Sequence, residues 1–188
     1  IATKSKWKPL NKVIYRGSQF VAVGDRTILM SANGIDWNGY IFDMINSGSS
    51  QNFIDVEYSE INNYLFALSH NGVNLRWTDA SNDFFEDMGS TIHQYNNTFL
   101  DMAYGNKSFI AVGSNENVSV NKVSVIHYNE DFGLWVETDL SKNFISVTYG
   151  NSEFIALSFF EIIHLSIDSI GNNISMTNII QIPYKLHN

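Results

Sequence analysis

Cysteine is absent from the 188 residues, which excludes disulfides, thiolate zinc sites and cysteine nucleophiles together. Arginine is scarce, occurring only at positions 16, 26 and 76, and 11 Lys and Arg face 19 Asp and Glu for a net charge of −8. Nucleic-acid binding draws most of its affinity from clustered cations, so no nucleic-acid partner is expected. Lys4, Lys6, Lys8 and Lys12 do cluster near the start, and they read as a solvated terminal segment that keeps an edge strand from pairing wrongly. Long apolar runs are also missing. The longest, FIALSFFEIIHLSI at 154–167, carries Glu161 and His164 and is shorter than the roughly 18 residues a spanning helix needs, so no membrane insertion is expected. The chain begins at Ile1 without a basic segment followed by an apolar one, and it reads as a mature product or a fragment of something longer. Proline occurs twice and no long helical periodicity is visible, yet 44% of the residues are hydrophobic, enough for a core.

What is present is repetition. VIYRGSQFVAVG (13–24), VEYSEINNYLFALS (56–69), MAYGNKSFIAVG (102–113) and VTYGNSEFIALS (147–158) match one another, and Ala22, Ala67, Ala111 and Ala156 recur at spacings of 45, 44 and 45 residues. Within each copy the apolar positions alternate with period two, the signature of strands. The turns GNKS and GNSE mark hairpins, with Gly and Asn read as suppliers of positive φ. Further short strands follow each hairpin. Four strands per ~45-residue unit, without linkers, predict an all-β chain, a β-propeller of four four-stranded blades. The whole of 1–188 is then one domain with blades near 11–50, 51–97, 98–142 and 143–188. Phe20, Phe109, Phe154 and the recurring Tyr15, Tyr58, Tyr104 and Tyr149 read as core, because a residue needed in every blade is usually packing.

Two endings of the array are open. Residues 1–10 have the register of a unit's end, with Trp7 where Trp37 and Trp135 stand, so they would supply the closing outer strand of the last blade. Alternatively SMTNIIQI (175–182) is that blade's own outer strand, and the N-terminal strand is the remnant of a fifth blade in a larger parent.

SANGIDW (31–37) and NEDFGLW (129–135) align without a gap after the Y-G-x-x-x-F-[IV]-A-V-G hairpin. The combination resembles the Asp-box or BNR-like repeats of sialidase-type propellers and of exported bacterial and phage tail proteins. The resemblance covers essentially the whole chain and implies an extracellular, cell-surface or virion setting. It further implies that the box is a hairpin-stabilising device, with Asn33 or Asp131 bonding local amides and the Trp packing under the turn. Both copies depart from S-x-D-x-G-x-x-W, since Asn33 replaces the acid and the glycines fall at Gly34 and Gly133.

Enzyme signals are weak. Sialidase-like hydrolysis needs an arginine cluster that three scattered arginines do not make, and the five histidines show no metal-ligand spacing. Asp79 and Asp83 lack the dense oxygen ligands of a calcium loop. The expectation is a non-enzymatic binding module without cofactor or metal, recognising a glycan or a protein surface, with a structural scaffold as alternative and a divergent glycosidase as a third reading. Function in a propeller falls where the repeat breaks. Arg76, Trp77 and Asp79 break it with the stacking and hydrogen-bonding chemistry that sugars use, although Trp77 also suits space-filling beside the altered box. Phe159 and Phe160 break it at a turn and mark a partner interface, a homo-oligomer contact or a contact with a parent domain, unless the strand runs on and buries both.

Overall fold

A computed structural model describes residues 8–41, 52–69, 74–78, 85–87, 97–115, 124–168 and 173–182, with the backbone alone at 40–41, 74–78, 85–87, 97 and 115. Among the described residues every regular element is a strand. The first sheet holds β1 (Leu10–Arg16), β2 (Gln19–Gly24), β3 (Thr27–Ser31) and β4 (Asn38–Ile41), and the second β5 (Phe53–Ser59), β6 (Tyr64–Ser69), β7 (Asn74–Thr78) and β8 (Phe85–Asp87). The third holds β9 (Asn97–Gly105), β10 (Ser108–Asn115), β11 (Val125–Asn129) and β12 (Leu134–Thr138). The fourth holds β13 (Phe144–Gly150), β14 (Glu153–Ser158), β15 (Glu161–Ile167) and β16 (Ile174–Gln181). In each sheet the strands lie side by side in chain order and pair antiparallel. Four such sheets are the blades of a four-bladed β-propeller. The fourth blade takes its outer strand, β16, from its own unit, the second of the two endings that the sequence left open. Residues 1–7, with Trp7, lie outside the described residues.

The chain divides into two compact units, 1–94 and 95–188. In the first, blades 1 and 2 pack through a layer formed by Val21, Val23 and Ile28 against Phe53, Val56, Leu65 and Ala67. In the second, Ala103, Ile110, Val112 and Val125 of blade 3 meet Val147, Phe154, Ala156 and Ile163 of blade 4. Each large apolar side chain so covered contributes about 1.5–3 kcal/mol. Two alanines of the repeat, Ala67 and Ala156, lie in these layers, where closely approaching sheets leave little room for a larger side chain.

The hairpins differ from the sequence expectation in one respect. Asn106 and Lys107, with φ of 45° and 59°, and Asn151 and Ser152, with φ of 50° and 64°, are the left-handed pairs of the tight turns. Gly105 and Gly150 precede those pairs and do not adopt positive φ.

All four inner strands carry an irregularity at the same place, between Leu10 and Lys12, Phe53 and Asp55, Phe99 and Asp101, and Phe144 and Ser146. One residue is bulged out each time, which re-aims the side chain that follows it. In blades 1 and 3 the partner strand must come so close that a Cβ on Gly24 would stand 2.0 Å from Pro9 O, and one on Gly113 2.2 Å from Thr98 O. Ser69 and Ser158 occupy that position in blades 2 and 4.

Candidate interaction surfaces

The bulges deliver polar side chains to the boundary between neighbouring inner strands. Lys12 Nζ stands 2.9 Å from Asp55 Oδ1, whose side chain is 2% exposed and also accepts the Val56 amide at 2.7 Å. Asn11, the bulged residue, donates to Asn52 Oδ1 (2.9 Å) and to the Phe53 carbonyl (2.7 Å). In the other unit Asp101 Oδ2 accepts from Ser146 Oγ at 2.5 Å and from the Val147 amide at 2.8 Å. The motif comparison overlooked these residues. The signal was present, because Lys12, Asp55, Asp101 and Ser146 stand three residues before the recurring tyrosine in every copy, polar amid an apolar strand. All are held by partners in the neighbouring blade, so they act as blade-to-blade clamps.

A second junction lies at the hairpin ends. The Arg16 guanidinium sits over the Tyr58 ring, 5.2 Å from its centroid. At the equivalent place a Cβ on Gly105 would stand 2.0 Å from Cγ of Tyr149, so Gly105 is bare to admit the tyrosine ring. Tyr58 and Tyr149 are therefore junction residues at the margin of their blades. Tyr58, Tyr104 and Tyr149 are half-buried, and Tyr15 is 59% exposed, which corrects its reading as core. Cross-strand ring contacts hold three of them in place, Tyr15 with Phe20 at 4.8 Å, Tyr104 with Phe109 at 4.5 Å and Tyr149 with Phe154 at 4.8 Å.

The turn SANGIDW is held by its own side chains. Asn33 Oδ1 accepts the amides of Ile35 and Asp36, both at 2.9 Å, Ser31 Oγ accepts that of Gly34 at 2.9 Å, and Trp37 Nε1 donates to the Gly34 carbonyl at 3.1 Å. In NEDFGLW the task passes to Asn129, whose Oδ1 accepts the Asp131 amide at 2.9 Å, while Asp131 itself pairs with Lys107 at 3.0 Å. The aligned acid is thus not the capping group in that copy. An open recess of about 580 Å³ borders the first turn, lined by Gln19, Ser31, Asn33, Asp36 and Asn38 among others. A smaller one of about 250 Å³ lies beside Ser152, Tyr149 and the His164 Nδ1···Glu153 Oε2 contact of 3.0 Å.

Arg76 and Trp77 are consecutive positions of β7, in register with Glu86 and Phe85 of β8. Their side chains, and Asp79 and Asp83 altogether, lie outside the described residues. Phe159 and Phe160 form the two-residue bend between β14 and β15, 70% and 58% exposed, so the strand does not run on to bury them. Their ring centroids are 6.5 Å apart, and the Phe160 carbonyl accepts the Ile182 amide at 2.8 Å. At the corresponding turn blade 1 carries Asp25 and Arg26, 3.5 Å apart. Directly behind the phenylalanines, Glu161 accepts from Lys142 (2.5 Å) and Gln181 (2.6 Å). The Lys142 hydrogen bond, seconded by those of Gln181 and Ser158, holds the Glu161 carboxyl below its ordinary value. Among the described residues no group of three His, Asp or Glu side chains is arranged to hold a metal ion, and no helix is long and apolar enough to cross a membrane.

No protein-family model matches the chain, and no curated protein is similar to it in sequence. Solved structures are similar in fold. A chain of the Mitotic Checkpoint Complex aligns over 91% of this chain and 51% of its own length, with a TM-score of 0.62 and 14% identity. A luciferin-regenerating enzyme aligns over 94% and 64%, at 0.57 and 12%. The WD40 domain of Neurospora crassa Pan2 aligns over 94% and 63%, at 0.51 and 8%. The chain thus spans half to two thirds of the length of these propellers, and identities this low establish fold alone. One of the three is named as an enzyme and another as part of a complex, so the decision between catalysis and binding falls to the residues.

Proposed function

We propose that the chain is a non-enzymatic interaction module whose blades form a rigid support for a protein-binding tip at Phe159 and Phe160. One observation carries the reading: two adjacent phenylalanines are exposed on a bend where the equivalent turn of blade 1 is a charged pair. Exposed aromatics on a well-supported turn are the usual anchors of protein interfaces. The Lys142–Glu161–Gln181 bonds and the Ile182–Phe160 bond brace that turn from behind. A photocrosslinking side chain placed at 159 is expected to capture one discrete partner. Replacing Phe159 and Phe160 by serine should weaken that partner at least about tenfold without lowering the melting temperature. Equal capture from Phe132, exposed on another turn, would sink the reading.

A glycan-binding version of the module draws on the polar recess beside Asn33 and Asp36 and on the residue types at Arg76, Trp77 and Asp79. Binding on a glycan array that is lost in Trp77→Ala and kept in Phe159→Ser would favour it over the protein-binding tip. Kinship with Asp-box repeats belongs to the same proposal, supported by the bonding of the Ser31–Trp37 turn.

A further inference from the structure

The two recesses differ in how far their polar groups are already engaged. Beside the first turn, Ser31, Asn33 and Asp36 direct their bonding to the turn itself. The smaller recess, of about 250 Å³, is built otherwise, and every residue that lines it belongs to the unit 95–188. Two hairpin turns border it, one bringing Asn106 from blade 3 and the other Ser152 from blade 4, both left-handed at φ of 45° and 64°. Strands β14 and β15 bring Glu153, His164 and Ser166. The outer strand brings Thr177, which has no opposite residue in β15, because His164 pairs with Asn178 and Leu165 with Met176. An irregularity of this kind re-aims a side chain and is frequent beside binding sites.

Glu153 and His164 contact each other at 3.0 Å. Among the described residues, the side chains of Asn106, Ser152, Ser166 and Thr177 and the hydroxyl of Tyr149 have no hydrogen-bond partner. Each of these groups both donates and accepts, and the Glu153 carboxylate keeps acceptor capacity beyond His164. The Tyr149 ring is fixed by Phe154 at 4.8 Å and by its seat over Gly105, so its hydroxyl is held in place. The lining has a carboxylate and neither Lys nor Arg, which disfavours an anion. We infer that this recess binds a neutral sugar unit, with Glu153 accepting from ring hydroxyls and the unengaged amide and hydroxyl groups completing the contacts. A ligand whose own hydroxyls donate and accept at close spacing is the one that such a wall matches. The volume suits a single ring, since drug-sized ligands occupy about 300–1,000 Å³. The site stands at one end of β14 and Phe159 and Phe160 at the other, so the inference does not rest on the protein-binding tip.

Saturation-transfer NMR of the full chain with the methyl glycosides of glucose, galactose, mannose and N-acetylglucosamine is expected to show binding of at least one. N-acetylneuraminic acid and inorganic phosphate should not bind. Glu153→Ala, at a side chain 56% exposed, should keep the circular dichroism spectrum and weaken the bound glycoside at least about tenfold, the effect of losing a hydrogen bond to a charged group. Thr177→Phe, at an exposed position, should fill the recess and abolish binding with the fold intact. Phe159→Ser should leave glycoside binding unchanged, which separates this site from the partner tip. A chain that binds none of the glycosides at millimolar concentration overturns the inference, as does one that prefers phosphate. So does glycoside binding that survives both Glu153→Ala and Thr177→Phe, or that Trp77→Ala abolishes while Glu153→Ala does not.

Discussion

At the scale of single residues, the same glycine in the repeat has two surroundings. Gly105 lies under the Tyr149 ring, while a Cβ on Gly150 meets no atom of the described residues within 4 Å, so Gly105→Val should destabilise the fold by about 2–3 kcal/mol through overpacking. Gly150→Val should stay within about 0.5 kcal/mol, as surface changes do. Urea unfolding of the two variants at low concentration checks the difference. Asn33→Ala removes the acceptor of two turn amides and should cost about 1–2 kcal/mol by the same measurement. Glu161 gives a pH test. Its carboxyl is held below 4.5, chiefly by the Lys142 hydrogen bond, so the stability it contributes is present above that value and lost as pH falls through the lower folded one. Glu161→Gln should therefore lose less stability than the parent on acidification below pH 4.5, as read from melts across that range.

At the scale of elements, the inner-strand bulge organises each blade, and it explains what the sequence disclosed and what it withheld. The hairpins were legible because the period-two pattern of V-x-Y and F-x-A and the Asn-containing turns are local. The glycine of YGNK suggested turn chemistry by its position, yet its cause is a ring from the next blade, 44 residues away, and no local pattern reveals that. Tyr15 stands at the same place in its repeat as Tyr149 and is nonetheless exposed where Tyr149 is half-buried. Polar positions such as Asp55 and Asp101 were visible as exceptions in apolar strands, but their partners Lys12 and Ser146 lie in neighbouring blades. Phe159 and Phe160 could be picked out because they fail to repeat, while their exposure depended on where β14 stopped. The bulge itself is testable. Gly113→Ala would press a methyl group against Thr98 O and the Phe99 Cα and should cost about 2–3 kcal/mol, whereas Ser158→Ala at the same place in blade 4 should be far milder. Thermal melts of the two variants compare them directly.

At the scale of the whole molecule, the net charge of −8 with three arginines sets what the surface attracts. Labelled single-stranded DNA should show no change in anisotropy with this protein even at about 50 mM salt, where any phosphate-binding surface is strongest. The blade junctions carry a broader consequence. Tyr58 accepts a guanidinium and Tyr149 a bare backbone in otherwise matching positions. A tyrosine presented this way tolerates different neighbours, so a duplicated or deleted blade would find a workable seat beside whatever remained. The blade count of such a chain can then change by gene duplication in whole steps, without any one residue having to be reinvented first.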